Sequence, residues 1–398
     1  MPLANGKEYL AIPGPSVMPD RVLRAMHRAS PNIYEGELIE MVKGIFPDLK
    51  AVAGTQHKAA IYIGNGHAAW EACLSNTVAE GEKVVVLVNG MFGHGWAAQA
   101  KSLGIEVEIL DFGRSGPVDP AALGPVLEAD KTHEIKAVAV CHTDTASSAR
   151  NDIAAVRQVM DAVGHPALLM ADCIASLACD PFEMDKDGAD VMISACQKGL
   201  MVPAGMAFVF FNDRASEVRR NMRRVGLYWD WVPRTEPELF YQHFNGTAPT
   251  HHLYGLREAL DMIAEEGLEN TLARHEKLAR SIWAAVDAWG ADGPMRLNVA
   301  DPASRSHAVT SVYLGDGNGE RLRQWTAENV GVTLGIGLGM DTPDDPKGSN
   351  YFRIGHMGHV NGQMVLGALG AIDAGLKSLG IPHGQGALEA ASRIIAQG

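Results

Sequence analysis

Short apolar runs alternate with helical segments from residue 61 to residue 211, and this alternation restricts the fold more than any other feature of the chain. The apolar runs read as buried strands at residues 61–63, 83–88, 107–110, 137–141, 167–171, 190–195 and 206–211. A chain that alternates strand and helix in this way forms a mostly parallel sheet with helices on both faces. We therefore predict an α/β fold.

A second, smaller α/β unit is predicted in the C-terminal part of the chain. Its strands are expected at residues 307–313 and 351–354, and its helices at residues 320–329 and 363–379. A long helical pattern begins at Leu268, and we place the boundary between the two units at its start. The expected organisation is an N-terminal arm (1–18), a large domain (19–267) and a small domain (268–398).

Composition excludes several classes of function. Formal net charge is −13 at pH 7, so a general affinity for nucleic acid or for an anionic membrane is not expected. No apolar run approaches the length of a membrane span, and no signal peptide is visible. The five cysteines are scattered and form no CxxC pair, which favours buried thiols in a reducing cytosol over disulfides or a metal site. We expect a cytoplasmic protein without a metal.

Lys198 and Asp172 follow two neighbouring predicted strands and carry the first chemical hypothesis. A lysine at the end of a buried strand loses hydration, which lowers its pKa and suits it for attack on an aldehyde. An aspartate just past a parallel strand lies where α/β folds bind ligands, and it can keep a pyridine nitrogen protonated. Together the two residues suit pyridoxal phosphate. Alone, Lys198 could point to water and Asp172 could cap a helix.

A glycine-rich turn links the predicted strand at residues 61–63 to a helix. Its sequence, Gly64-Asn65-Gly66-His67-Ala68-Ala69, would let a phosphate approach the backbone at a helix N-terminus. The turn also matches a loose dinucleotide fingerprint, and a plain strand-to-helix turn is equally open. A dinucleotide site would want an acid at the end of the next strand, where Asn89 lies instead, and this counts against a dehydrogenase.

Arg353 lies between Phe352 and Ile354 in a predicted strand of the smaller unit. A guanidinium group among apolar neighbours invites a carboxylate, with which it pairs through two parallel hydrogen bonds. The carboxylate could belong to a substrate or to a structural salt bridge.

With these residues assembled, the chain resembles a class V aminotransferase of the alanine–glyoxylate and serine–glyoxylate branch. The most specific match is Asp190, Cys196, Gln197, Lys198 and Gly205, in which Cys196 departs mildly from the small residues common at its position. The stretch at residues 254–270 is also similar to this branch. The resemblance extends over almost the whole chain.

The resemblance implies fold type I, with a mostly parallel seven-stranded sheet, pyridoxal 5'-phosphate as cofactor and a homodimer or tetramer with sites at the subunit interface. It makes Lys198 the Schiff-base lysine and Asp172 the partner of the pyridine nitrogen. Arg353 would bind the substrate α-carboxylate. The other cofactor contacts implied are Asn65, Gly66, His67 and Gln197 at the phosphate, Phe92 stacked on the ring, Thr145 at the ring hydroxyl, and Thr247 at the neighbouring subunit's phosphate.

The implied reaction is transamination between a small amino acid, such as alanine or serine, and a small 2-oxo acid such as glyoxylate or pyruvate. Ureidoglycine–glyoxylate and pyridoxamine–pyruvate aminotransferases share the fold and stay open as alternatives. A lyase of the cysteine desulfurase type would need a reactive cysteine in the C-terminal half, but the last cysteine is Cys196. A nucleotide-dependent oxidoreductase would rest on residues 64–69 alone.

Overall fold

A computed structural model of the chain describes residues 3–397. In chain order its strands are β1 (Tyr9–Ala11), β2 (Lys58–Gly64), β3 (Lys83–Val88), β4 (Glu106–Asp111), β5 (Ile135–Cys141), β6 (Thr143–Asp144), β7 (Ala149–Arg150), β8 (Leu168–Asp172), β9 (Val191–Ala195), β10 (Gly205–Phe211), β11 (Arg296–Leu297), β12 (Val309–Tyr313), β13 (Val332–Ile336) and β14 (Tyr351–Gly355).

The α-helices are α1 (Asp20–Met26), α2 (Glu37–Ala53), α3 (Gly66–Thr77), α4 (Met91–Ser102), α5 (Leu123–Ala129), α6 (Ile153–Val163), α7 (Met184–Asp187), α8 (Asp213–Asn221), α9 (Val232–Thr235), α10 (Thr250–Glu266), α11 (Leu268–Gly290), α12 (Asn318–Val330), α13 (Gly362–Ser378) and α14 (Ala387–Ala396). Short 3-10 helices span Pro120–Ala122, Phe240–Phe244 and Pro302–Ser304. Between residues 3 and 397 no helix is both long and apolar enough to cross a bilayer.

The larger sheet has seven strands in the order β2-β10-β9-β8-β5-β3-β4. Only β10 among them is antiparallel to its neighbours, and the other pairs are parallel. The predicted α/β fold with a mostly parallel seven-stranded sheet is therefore confirmed. Each apolar run predicted as a strand forms one, and observed ends differ from predicted ends by at most a few residues.

Side chains alternate between two hydrophobic cores along each central strand. In β3, Val85 and Leu87 face the core that holds helix residues from α2 and α6. Val84 and Val86 face the opposite core, which holds Trp70 of α3 and residues of α4. Because successive strand residues point to opposite faces, a continuous apolar run gives a strand buried on both sides. This double burial fixes the register of the strands whose ends carry the polar residues of the site.

The smaller sheet has the order β1-β13-β14-β12-β11 and packs against α11 to α14. Its edge strand β1 comes from the N-terminal arm, where Tyr9 pairs with Val332 in parallel. Neither β1 nor β13 was expected from the sequence, because both are short and neither alternates clearly. The domain bounds at residues 18 and 267 stay a prediction, but the arm contributes a strand to the C-terminal unit.

Candidate active site

The carboxyl ends of five parallel strands meet at one edge of the larger sheet. Strand β2 ends at Gly64, β3 at Val88, β5 at Cys141, β8 at Asp172 and β9 at Ala195. Polar or glycine-rich segments follow β2, β3, β5 and β9 in the sequence, and β8 ends on a polar residue, Asp172. Parallel α/β sheets bind ligands in the crevice outside these ends, and a cavity lies here.

The cavity has a volume of about 200 Å³. Its walls are formed by Asn65, Gly66, His67, Trp70, Phe92, Thr143, Thr145, Asp172, Ile174, Ala175, Gln197 and Lys198. Eight of the ten site residues predicted from the sequence are in this set. The two outside it are Thr247 and Arg353.

Lys198 lies in the turn between β9 and β10, and its side chain is largely buried. Its Nζ atom donates a hydrogen bond to the main-chain oxygen of Pro13 in the N-terminal arm. The arm is itself held against this turn, because the Ser16 hydroxyl donates to the Lys198 carbonyl at 2.7 Å. Burial lowers the pKa of the Lys198 amine to about 8, with a further contribution from the positive charge of Arg353. A substantial fraction of the amine is therefore neutral, and nucleophilic, near pH 8.

Asp172 ends strand β8 and is buried at the floor of the cavity. Its Oδ1 atom accepts from the backbone N–H of Ile174 at 2.8 Å, and its Oδ2 atom accepts from the indole Nε1 of Trp70 at 2.7 Å. The Cys141 thiol lies 3.8 Å from the same Oδ2. Burial raises the pKa of the Asp172 carboxyl to about 6 against these hydrogen bonds. The carboxylate is thus mostly ionised at neutral pH and faces a cavity that can accept a cationic partner.

The N-terminus of helix α3 forms one wall of the cavity. Asn65 is the residue before the helix, and its side-chain oxygen accepts from the backbone N–H of His67 at 3.1 Å. A Cβ atom at Gly66 would lie 2.4 Å from Cδ1 of Ile174, so a larger residue here would displace the Ile174 side chain, which also lines the cavity. Free N–H groups at a helix N-terminus suit an anion. Beside them, the side-chain oxygen of Gln197 is buried without a hydrogen-bond partner within residues 3–397.

Asp144 holds the opposite wall of the cavity, and sequence reasoning missed it. Its carboxylate is fully buried and accepts from the backbone N–H groups of Phe92 at 2.7 Å and Gly93 at 3.2 Å. It thereby fixes the first turn of α4, on which the Phe92 ring is carried. The next residue, Thr145, lines the cavity.

Arg353 lies on β14, buried beside the cavity. Its Nε donates to the main-chain oxygen of Ile336 at 2.7 Å, and its Nη1 donates to that of Thr145 at 2.8 Å. Burial lowers the pKa of its guanidinium group to about 10, so it stays charged at neutral pH. Within residues 3–397 Arg353 forms no salt bridge, which counts against the structural salt bridge considered from the sequence. It joins the smaller sheet to the Thr145 loop of the larger one.

Thr247 is exposed and outside the cavity, in the segment between the 3-10 helix Phe240–Phe244 and α10. A single chain therefore does not test its predicted contact with a neighbouring subunit. Sequence reasoning missed four residues that line the cavity: Trp70, Thr143, Ile174 and Ala175. Trp70 lies one helical turn after Gly66, and this spacing, which places both on one face of α3, could have identified it.

The described residues hold no cluster of three or more His, Cys, Asp or Glu side chains arranged to bind a metal. All five cysteines are free and buried. Asn89 bonds Asn151 and the Gly116 carbonyl, so its side chain is used in packing the strand ends and does not face the cavity. The arrangement joins a partly neutral buried amine, a buried carboxylate and the N-terminus of a helix in one cavity.

Comparison with known proteins gives concordant results. The model of the family "Aminotransferase class-V" matches residues 9–340. A serine–glyoxylate aminotransferase of Methylorubrum extorquens is 35% identical over 383 residues, covering 94% of this chain and 92% of that protein. A serine–glyoxylate aminotransferase of Arabidopsis thaliana is 32% identical over 98% of this chain and 96% of its own length. The crystal structure of ureidoglycine–glyoxylate aminotransferase from Bacillus subtilis superimposes with a TM-score of 0.87 at 25% identity, covering 98% of this chain and 99% of that one.

Proposed function

The chain belongs to the class-V aminotransferase family, and from this we propose that it binds pyridoxal 5'-phosphate in the cavity at Lys198 and transfers an amino group between a small amino acid and a small 2-oxo acid. The observation that carries the proposal is that Lys198 and Asp172 face one cavity together with the N-terminus of α3. When bound, pyridoxal phosphate supplies an aldehyde for amines and a ring that withdraws electrons from the substrate's Cα.

The residues of the cavity fit this cofactor. The N-terminus of α3 suits a phosphate, and the side-chain NH2 groups of Asn65 and Gln197, which line the same cavity, can donate to it. Asp172, with its carboxylate already accepting two strong hydrogen bonds, suits a protonated ring nitrogen. Phe92 offers an aromatic face for the ring, and Thr145 is the proposed partner of the ring hydroxyl.

Lys198 has two roles in the proposed reaction. Its neutral amine attaches the cofactor, and after release by the incoming amino group it accepts the proton from the substrate's Cα. A pKa near 8 suits both roles, because the ideal pKa of a general base lies near the working pH. Arg353 orients the substrate carboxylate and thereby the Cα–H bond that breaks.

We propose glyoxylate or pyruvate as the acceptor and alanine, serine or a similar amino acid as the donor. Support comes from the relatives, whose names specify glyoxylate. Ureidoglycine–glyoxylate and pyridoxamine–pyruvate transamination remain the alternatives on the same fold.

We further propose a homodimer in the cytoplasm. Exposed apolar residues lie along the segment that carries Thr247, including Leu227 at 78%, Leu239 at 56% and Tyr241 at 46% exposure. Exposed apolar side chains grouped on one segment suit a subunit interface, and the family resemblance assigns Thr247 to the cofactor phosphate of a neighbouring subunit. The five buried, unpaired thiols suit a reducing compartment.

The test begins with purified protein and added pyridoxal phosphate. We expect visible absorbance that borohydride reduction makes permanent, with the label located at Lys198 by peptide mass spectrometry. The control is Lys186→Ala, which removes an exposed lysine and should leave labelling unchanged. A screen of amino donors against glyoxylate and pyruvate then identifies the substrates. Labelling at a different lysine, or the absence of any transamination across the screen, would contradict the proposal.

A further inference from the structure

Trp70 contacts three of the residues proposed to hold the cofactor. Its indole Nε1 donates to Asp172 Oδ2 at 2.7 Å. Its ring meets the His67 ring edge to face, with centroids 4.5 Å apart, and the Phe92 ring in the same manner at 6.4 Å. Behind it, Trp96 stacks at 6.2 Å with an interplanar angle of 11°. Trp70 is 1% exposed and lines the cavity.

The hydrogen bond from Trp70 is directed at a specific oxygen of the carboxylate. Asp172 Oδ1 is held by the backbone N–H of Ile174, which cannot be removed by a side-chain change. Oδ2 receives the indole N–H and a weaker contact from the Cys141 thiol. The indole is therefore the strong side-chain donor to this carboxylate among the described residues. The indole is already held by packing on two sides, so forming this hydrogen bond costs little additional side-chain entropy.

We propose that Trp70 is a positioning residue that keeps the Asp172 carboxylate a weak base, so that the proton of the ion pair stays on the pyridine nitrogen of the cofactor. The inference rests on the proposed function and deepens it. The indole N–H would thereby determine how one proton is shared between the Asp172 carboxylate and the pyridine nitrogen. Trp70 does not touch the reacting atoms of the substrate and acts through Asp172.

The electrostatic surroundings of Asp172 explain why such a donor is needed. Burial favours the neutral carboxyl, and the nearby Asp144 carboxylate acts in the same direction. The hydrogen bonds from Ile174 and Trp70 oppose both effects by stabilising the anion. The Lys198 amine, also in the cavity, favours the Asp172 anion only while it is protonated. Without the indole N–H, the proton of a buried pair would move towards Asp172, and the neutral ring would withdraw electrons less strongly.

The experiment uses holoenzyme reconstituted with pyridoxal phosphate carrying ¹⁵N in its ring, and compares Trp70→Phe with Trp96→Phe. Both variants replace a buried indole by a smaller aromatic ring. Trp96 is the matched control, because its Nε1 has no hydrogen-bond partner within residues 3–397. In Trp70→Phe we expect the nitrogen resonance to move towards that of an unprotonated pyridine, with a lower apparent pKa in a pH titration. In Trp96→Phe we expect the wild-type resonance.

A second readout is the rate of Cα–H loss in the half-reaction with the amino donor. We expect at least a tenfold decrease for Trp70→Phe, or about 1.4 kcal/mol of activation free energy. If Trp70→Phe does not fold, benzothienylalanine at position 70, which keeps the indole shape and lacks the N–H, takes its place.

An unchanged nitrogen resonance in the position-70 variant, or an equal shift in Trp96→Phe, would show that Trp70 only packs and would overturn the inference. A wild-type protein that binds no cofactor at Lys198 would overturn the proposed function and this inference with it. The two failures are distinguishable, because only the first leaves a bound-cofactor resonance in the wild-type spectrum.

Discussion

Replacing Arg353 by lysine tests the link between the two sheets as well as the binding of substrate. The guanidinium group donates to two main-chain oxygens, those of Ile336 and Thr145, through different nitrogens. Lysine keeps the charge but lacks the planar guanidinium group, so its single nitrogen cannot occupy both donor positions. A hydrogen bond from a charged group contributes about 1.5–3 kcal/mol. We expect Arg353→Lys to lower the free energy of unfolding by an amount in this range.

The same substitution should weaken the binding of the amino acid and of the 2-oxo acid together, because both carry the carboxylate that Arg353 is proposed to bind. Loss of the planar fork corresponds to a roughly ten- to hundredfold loss in affinity for each. Cofactor affinity should fall as well, because Arg353 donates to the carbonyl of Thr145, which lines the cavity. We expect this decrease to be about an order of magnitude or less, as one hydrogen bond to the loop is lost.

The assay is a spectral titration of each half-reaction, with urea unfolding measured in parallel. Arg323→Lys is the matched control, because Arg323 is half-buried on α12, and its Nε has no hydrogen-bond partner among the described residues. That variant should bind both substrates normally. If Arg353→Lys lowers the affinity for one substrate alone, Arg353 contacts the side chain of that substrate and not the carboxylate that both substrates share. If it lowers stability and leaves both substrates unaffected, its role is structural and the carboxylate assignment is wrong.

Four further outcomes are expected. Lys198→Ala should abolish borohydride trapping and transamination, and trapping at another lysine would show that the site is misassigned. Asp172→Asn should fold normally yet slow Cα–H loss by orders of magnitude, so near-normal turnover in single-turnover kinetics would exclude its role. Capture of pyridoxal phosphate, followed by stopped-flow absorbance, should accelerate as pH rises and level off above about 8, because burial lowers the pKa of Lys198 to about 8. Acid should destabilise the protein as the pH falls below 6.5. Burial lowers the pKa of His275 in the folded protein to about 4, so between about pH 6.5 and 4 the unfolded chain binds one proton more than the folded one. The free energy of unfolding should then fall by up to ~1.4 kcal/mol per pH unit, and in His275→Gln the urea midpoint should depend less on pH between 7 and 5.

The larger sheet and the centre of the site could be predicted because each depends on a local pattern. A strand buried on both faces must be continuously apolar, so β3, β5 and β8 are visible as short runs of Val, Ala, Leu and Met. Their order along the chain, with a helix after each, places their carboxyl ends at one edge. A polar residue directly after such a run, as at Asp172, must then lie in the ligand crevice.

Features that depend on contacts between distant segments were not visible in the sequence. Strand β1 has three residues and is defined only by its pairing with β13, 323 positions later in register at Tyr9 and Val332. From the sequence, Trp70 looks like an ordinary core residue of a largely buried helix, and the structure then shows that its Nε1 donates to Asp172, 102 positions away. A buried polar group needs a partner, but the sequence does not say which one.

The contacts of Lys198 and Arg353 show why the smaller unit matters to a cavity that lies in the larger one. Lys198 Nζ is held by the carbonyl of Pro13, which follows strand β1 of the smaller sheet. Arg353, in the same sheet, holds the carbonyl of Thr145. A Cβ atom on Gly335, between them, would lie 2.7 Å from Cδ of Pro13 and 3.2 Å from Cβ of Arg353, so close packing sets the spacing of the two segments. The smaller sheet thus carries the proposed carboxylate clamp and, through Pro13, contributes a contact to the proposed attacking amine, although Lys198 itself lies in a turn of the larger sheet. A shift of the smaller sheet would therefore move Arg353 relative to the cofactor and, at the same time, weaken the contact that holds Lys198 Nζ.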